Sequence, residues 1–286
     1  MLDARPCGES DLCPQPNRQH ENSNDLDIDG HAFRLGNCRF IGKPAQIRKS
    51  QKPMPTRDEL EYFVEPQVRQ FCGAIYFTRS LEEAEGNVIA NGSFGLVETG
   101  SKKLLVTCFH VWDRFQKSRR ENPEIMMCLM LERGPALVFA PEKPVGENPE
   151  LDLATFEMDP AWVTNTGRKF YPLKENPPRR VKVGDVVFFI GFPGNRRRVT
   201  EEGLGFGRVP FGVKVCSVDG WHIHSEISKL KMKAEEFGGI SGCPAFLVRP
   251  QKPIQMVGFA TSVVLGEYLC FTHVRCLNAD GTISEK

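Results

Sequence analysis

The sequence predicts an all-β fold, a sandwich or barrel of short strands in two groups of about six. Three observations carry this expectation. Short β-branched and apolar runs recur from about residue 70 to the C-terminus. Turn residues separate them: 26 Gly and 21 Pro make up about 16% of the 286 residues, against roughly 12% in an average protein. No long amphipathic helical pattern alternates with these runs, which disfavours a parallel α/β sheet.

The elements follow in order. Residues 1–65 form a distinct N-terminal extension. Residues 1–31 carry seven acidic and two basic side chains, and residues 32–57 carry seven basic and no acidic ones. Few apolar residues recur there with any period, so residues 1–56 read as a flexible, solvated tail. Thr56 followed by Glu59 matches a capping box, in which each side chain satisfies an orphan amide of the first turn. A short helix over 57–64 is expected. A first barrel over 66–160 takes strands at 71–77, 87–98, 103–107, 125–131, 136–139 and 153–158. The inter-barrel crossing is placed at 161–172, where residues 166–174 read as a crossing segment. A second barrel over 173–286 takes strands at 185–191, 208–218, 221–226, 245–248, 254–264 and 269–274.

Composition excludes several functions. Net charge is +1, which gives no general attraction to nucleic acid or to an anionic membrane. No run approaches the roughly 18 apolar residues of a membrane span. Residues 1–30 show no apolar core of a secretory signal. The ten cysteines include no C-x-x-C pair, which argues against a zinc ribbon. Together these point to a cytoplasmic protein with reduced thiols.

Three segments carry chemistry. The apolar run Leu104-Leu105-Val106-Thr107 leads into His110. Asp152 opens the apolar run Leu153-Ala154-Thr155-Phe156, an unfavourable place for a carboxylate without a partner. Ser241 sits in Gly238-Gly239-Ile240-Ser241-Gly242-Cys243-Pro244, where glycines permit a tight bend that exposes a hydroxyl. A serine hydroxyl is a poor nucleophile until a base takes its proton, and a histidine oriented by a buried aspartate is such a base. The Gly239 and Ser241 amides are placed to form an oxyanion hole.

These segments resemble the chymotrypsin-like serine proteases, and more closely their bacterial and HtrA-type branch. Six motifs appear in the family order over residues 88–262. Val88-Ile89-Ala90-Asn91-Gly92-Ser93-Phe94-Gly95-Leu96-Val97 is similar to the G-S-G-F strand, with the second Gly and the Phe exchanged. Val106-Thr107-Cys108-Phe109-His110-Val111 is similar to V-T-x-x-H-V, and Asp152-Leu153-Ala154 to D-[IL]-A. Gly184-Asp185-Val186-Val187-Phe188-Phe189-Ile190-Gly191-Phe192-Pro193 resembles G-D-x-V-x-x-I-G-x-P. Gly239-Ile240-Ser241-Gly242-Cys243-Pro244 resembles G-x-S-G-x-P, and Val257-Gly258-Phe259-Ala260-Thr261-Ser262 the strand that borders substrate. The resemblance implies two six-stranded antiparallel β-barrels of chymotrypsin type. It implies a serine endopeptidase with a Ser241–His110–Asp152 triad acting through an acyl-enzyme, and substrate contacts at Gly258, Phe259 and Ala260. The expected partner is a peptide or protein substrate, with no metal or organic cofactor. The alternative is a catalytically silent pseudoprotease that holds peptides.

The pattern departs from the family at two places. Ile240 stands where Asp or Asn is usual, which rules out a salt bridge to a cut N-terminus and suggests an oxyanion loop that settles only on substrate. Cys243 follows Gly242, which raises redox sensitivity beside the serine. Other features are weaker. His222 and His224 share a strand face, where Glu226 is a third candidate ligand, but a polar face is the simpler reading. Arg179-Arg180 and Arg196-Arg197-Arg198 read as solvated loops rather than a nucleic-acid surface. Gly203-Leu204-Gly205-Phe206-Gly207 reads as a hairpin or surface loop. Glu235, six residues before Ser241, fits both a specificity pocket and a surface turn.

Overall fold

A computed structural model describes residues 56–81, 88–130, 136–164, 166–200, 203–228, 237–249, 251–264 and 267–285. The expected N-terminal tail and Glu235 lie outside these residues. All described elements fall in one compact unit.

The capping box forms as the sequence predicts. The Thr56 amide donates to Glu59 Oε2 (2.7 Å), and the Glu59 amide donates to Thr56 Oγ1 (3.2 Å). The helical run it starts is longer than expected. Arg57–Glu59 is α-helical, Leu60–Val64 a π turn, Glu65–Val68 α-helical and Arg69–Phe71 a 3₁₀ turn. Leu60, Val64 and Val68 recur every fourth residue on its buried side, and Leu60 packs against Gly212.

Sixteen strands are described. The first half contains β1 (Cys72–Thr78), β2 (Ala90–Glu98), β3 (Lys103–Thr107), β4 (Met126–Met130), β5 (Leu137–Phe139), β6 (Gly146–Asn148), β7 (Leu153–Glu157) and β8 (Tyr171–Pro172). The second contains β9 (Val186–Gly191), β10 (Arg197–Thr200), β11 (Gly203–Phe206), β12 (Val209–Asp219), β13 (His222–Glu226), β14 (Pro244–Val248), β15 (Gln255–Val264) and β16 (Tyr268–His273). β12-β13-β16-β15-β14-β9 close into the expected six-stranded antiparallel barrel. The first half is an antiparallel sheet ordered β5-β4-β1-β2-β3-β7-β6, with β8 added in parallel to β2. Its hydrogen-bonded path stays open between β5 and β6 among the described residues, and these edge strands are three residues each. β10 and β11 form the surface hairpin that carries Arg197 and Arg198.

Alternation along the strands explains the core. In β9, Val187 and Phe189 point into the barrel, while Phe188 and Ile190 point between the two halves. The layer between the halves joins Val97, Leu104, Val106 and Leu153 to Phe188, Ile190, Phe246 and Phe259. Both faces of such strands are buried, so the sequence reads as unbroken apolar runs.

One element departs from the all-β expectation. The 13-residue helix Phe109–Glu121 begins where β3 ends. Its apolar side, Val111, Trp112 and Phe115, packs under the first sheet. Lys117 pairs with Asp113 one turn earlier at 2.7 Å, and Arg119 and Arg120 lie in the last turn, where the helix dipole favours cations. No helix among the described residues is long and apolar enough to cross a membrane.

Candidate active site

His110 lies in the first turn of this helix, not at the end of a strand as its apolar prefix suggests. β3 is fully buried from Leu104 to Thr107, and Cys108 makes the extended-to-helical turn as the N-cap. The ring of His110 is thus delivered to the edge of the first half with its side chain 42% exposed. Asp152 comes from the turn between β6 and β7. Asn148 Oδ1 shapes that turn by accepting from the amides of Glu150 (3.0 Å) and Leu151 (2.9 Å). Thr272 Oγ1 of β16 anchors the turn by donating to the Leu151 carbonyl at 2.7 Å.

Asp152 has φ +52°, a left-handed conformation that costs a non-glycine residue of order 1 kcal/mol or more. The return on that strain is a two-point grip on His110. The His110 amide donates to Asp152 Oδ1 (2.9 Å), and His110 Nδ1 lies 2.7 Å from Oδ2. This pairing places the ring proton on Nδ1, and Nε2 makes no hydrogen bond among the described residues.

The Ser241 loop is tied to the first half through Ser93 of β2, and no hydrogen bond joins Ser241 Oγ to His110 among the described residues. The Ser93 amide donates to the Ser241 carbonyl (2.8 Å) and Ser93 Oγ to the Gly239 carbonyl (2.7 Å). The Ser93 carbonyl accepts from Thr107 Oγ1 at 2.7 Å, three residues before His110. One residue therefore ties the strand of the histidine to the loop of the serine. From the other side, the Gly242 amide donates to the Ala260 carbonyl at 2.7 Å. The unusual dihedrals of the loop fall on glycines, Gly239 at φ +95° and Gly242 at φ +90°. A Cβ on Gly242 would meet the Ser93 carbonyl and come within 2.6 Å of Thr107 Oγ1. Ser241 is 5% exposed. Among the described residues, the Gly239 and Ser241 amides donate to no protein acceptor.

Ile240 does not carry the strain that its branching suggests. It has no positive φ and is buried in the barrel core against Gly191. Cys243 is also no redox handle on this geometry. It is fully buried, and burial pushes its thiol well above the usual range, so without a cation beside it the thiol stays protonated.

The expected substrate contacts are only partly at the cleft. Phe259 is fully buried in the layer between the halves, and Gly258 packs against the Thr272 carbonyl. Ala260 borders a shallow depression, too narrow for a water molecule, with Ile240, Ser241, Thr261, Ser262, Val263 and Leu269. Phe259 is the largest apolar side chain of the motif, which was the signal for its inward face. A bulge at Ala260–Ser262 shifts the register, which no local pattern reveals. His222 and His224 both face Asp219, at 3.5 Å and 3.1 Å, rather than Glu226. Glu226 accepts from Ser228 Oγ at 2.8 Å instead.

No family model matches the sequence, and no curated protein matches it. Solved structures similar to the chain include a serine endoprotease from Yersinia pestis, at 18% identity and TM-score 0.46, over 77% of this chain and 63% of that one. The chain thus spans less than two thirds of that protein's length. Deg5 is similar at 15% identity and TM-score 0.49, over 78% of this chain and 93% of that one. A thermostable serine protease AL20 from an extremophilic microorganism is similar at 11% identity and TM-score 0.45, over 73% and 92%. The chain itself has a closed six-stranded antiparallel barrel beside a second, antiparallel sheet.

Proposed function

We propose that the protein is a serine endopeptidase. The observation that supports this best is the two-point grip of Asp152 on His110, at 2.9 and 2.7 Å, which leaves Nε2 without a hydrogen bond among the described residues. In this reading His110 Nε2 takes the proton of Ser241 Oγ as the oxygen attacks a peptide carbonyl. The Gly239 and Ser241 amides hold the oxyanion, and losing one such donor costs roughly 10²–10³ in rate. His110 returns the proton to the leaving amine, and the acyl group stays on Ser241. Water, deprotonated by the same nitrogen, then releases the acid. Asp152 stays ionised throughout and steadies the imidazolium.

A fluorophosphonate probe tests the nucleophile, because Ser241 Oγ must displace its leaving group at phosphorus. Wild-type protein is expected to label, and Ser241→Ala to remain unlabelled. Well-folded wild type without labelling overturns the endopeptidase reading and favours the alternative, a silent peptide-holding module.

A further inference from the structure

The proposed mechanism makes no use of Cys108, although its side chain lies against the His110–Asp152 pair. Cys108 Sγ, a ring nitrogen of His110 and a carboxylate oxygen of Asp152 all lie within 4.8 Å of one another. Among the described residues no other group of three His, Cys, Asp or Glu side chains converges this way. Thiolate, imidazole and carboxylate are the three side-chain ligand types of zinc-like ions. A tetrahedral ion with metal–sulfur bonds near 2.3 Å and metal–N/O bonds near 2.0–2.1 Å holds S and N or O about 3.6 Å apart, and N and O about 3.3 Å apart. The 2.7 Å contact between His110 and Asp152 would open by about 0.6 Å, and the sulfur would close by at most about 1.2 Å. Small torsions of the half-exposed His110 side chain cover such shifts.

We propose that Cys108, His110 and Asp152 form an inhibitory site for a soft divalent cation such as Zn²⁺, with water as the fourth ligand on the open side. Binding releases one proton, from the Cys108 thiol, while the single ring proton of His110 moves through solvent from Nδ1 to Nε2. The thiolate and the carboxylate then balance the dication, so the buried site is neutral. In the metal-free protein the Cys108 thiol donates to the Ala260 carbonyl at 3.2 Å. Burial first, and then the charge of Asp152, hold that thiol protonated, and a bound dication offsets both effects. The bound ion occupies Nδ1 and leaves the remaining proton on Nε2. His110 can then no longer accept a proton from Ser241. The site rests on the geometry of the pair and stands whether or not Ser241 is a nucleophile.

Cd²⁺ serves as the probe, because its thiolate bonds absorb in the near ultraviolet. The full-length, reduced wild type is titrated beside Cys108→Ser, a near-isosteric change that leaves the other nine cysteines in both proteins. The expected result is one equivalent of Cd²⁺ and one thiolate band lost in the variant, and retained in Ser241→Ala. Zn²⁺ should block fluorophosphonate labelling of wild type, with at least tenfold more needed for Cys108→Ser. Equal stoichiometry and equal absorbance in wild type and variant overturn the proposal. Should Cys108→Ser fail to fold, Cys108→Ala replaces it in the same titration. A wild type that never labels refutes the endopeptidase reading, and the Cd²⁺ titration still decides the metal site.

Discussion

Acidification should destabilise the protein through His273, a residue outside the candidate catalytic set. His273 ends β16, is 5% exposed, and caps the 3₁₀ turn Val274–Cys276 by accepting from the Arg275 amide at Nδ1 (3.1 Å). Protonation must take place on that accepting nitrogen and would break the cap. Burial first, and then the neighbouring Arg275 cation, lower its pKa to about 4. In the unfolded chain a histidine titrates near 6.5. Between about pH 4 and 6.5 the unfolded state therefore binds a proton that the folded state refuses. The stabilising contribution is complete above pH 6.5 and is lost as pH falls toward 4. At about 1.4 kcal/mol per pH unit, the loss reaches roughly 2 kcal/mol at pH 5 and roughly 3 kcal/mol at pH 4. The assay is urea unfolding of wild type and His273→Asn at pH 7 and pH 5. The asparagine oxygen can accept the same Arg275 amide and does not titrate. Groups common to both proteins cancel in the difference. Wild type should lose about 2 kcal/mol more than the variant over this interval. Equal losses would refute the assignment of a neutral, cap-accepting His273.

Two further outcomes concern the candidate site. Gly242→Ala forces a side chain into φ +90° and against Ser93 and Thr107, so it should cost roughly 3 kcal/mol. A fall in Tm of roughly 6–12 °C in a calorimetric scan, with loss of probe labelling, is the expected result. An unchanged Tm would show that the loop does not pack there. Asp152→Asn keeps the shape but cannot hold the proton on His110 Nδ1, so the rate of probe labelling should fall by about 10⁴. Labelling within tenfold of wild type would remove Asp152 from its orienting role.

Features that depend on near neighbours were legible in the chain. The capping box at Thr56 and Glu59 appears as read, because its partners are three residues apart. Most strands appear within a few residues of their expected ends, because apolar runs between turn residues leave a local trace. The bend around Ser241 was legible because glycine alone takes positive φ cheaply, and the chain places Gly239 and Gly242 where the loop needs them. The helix after β3 was not read, since Val111, Trp112 and Phe115 follow directly on an unbroken apolar strand, where the change of period is hidden.

Folding settled what depends on distant partners. Asp152 meets His110 across 42 residues, and Ser93 meets Gly239 across 146. No local pattern specifies such pairings; burial of the shared core brings them together. The same holds for the inward face of Phe259, because a bulge of one residue decides which side chains of β15 reach the cleft. Cys108 looked like a small core residue in the chain. Its place beside a carboxylate and an imidazole exists only because β3, the following helix and the β6–β7 turn converge at one edge of the first sheet.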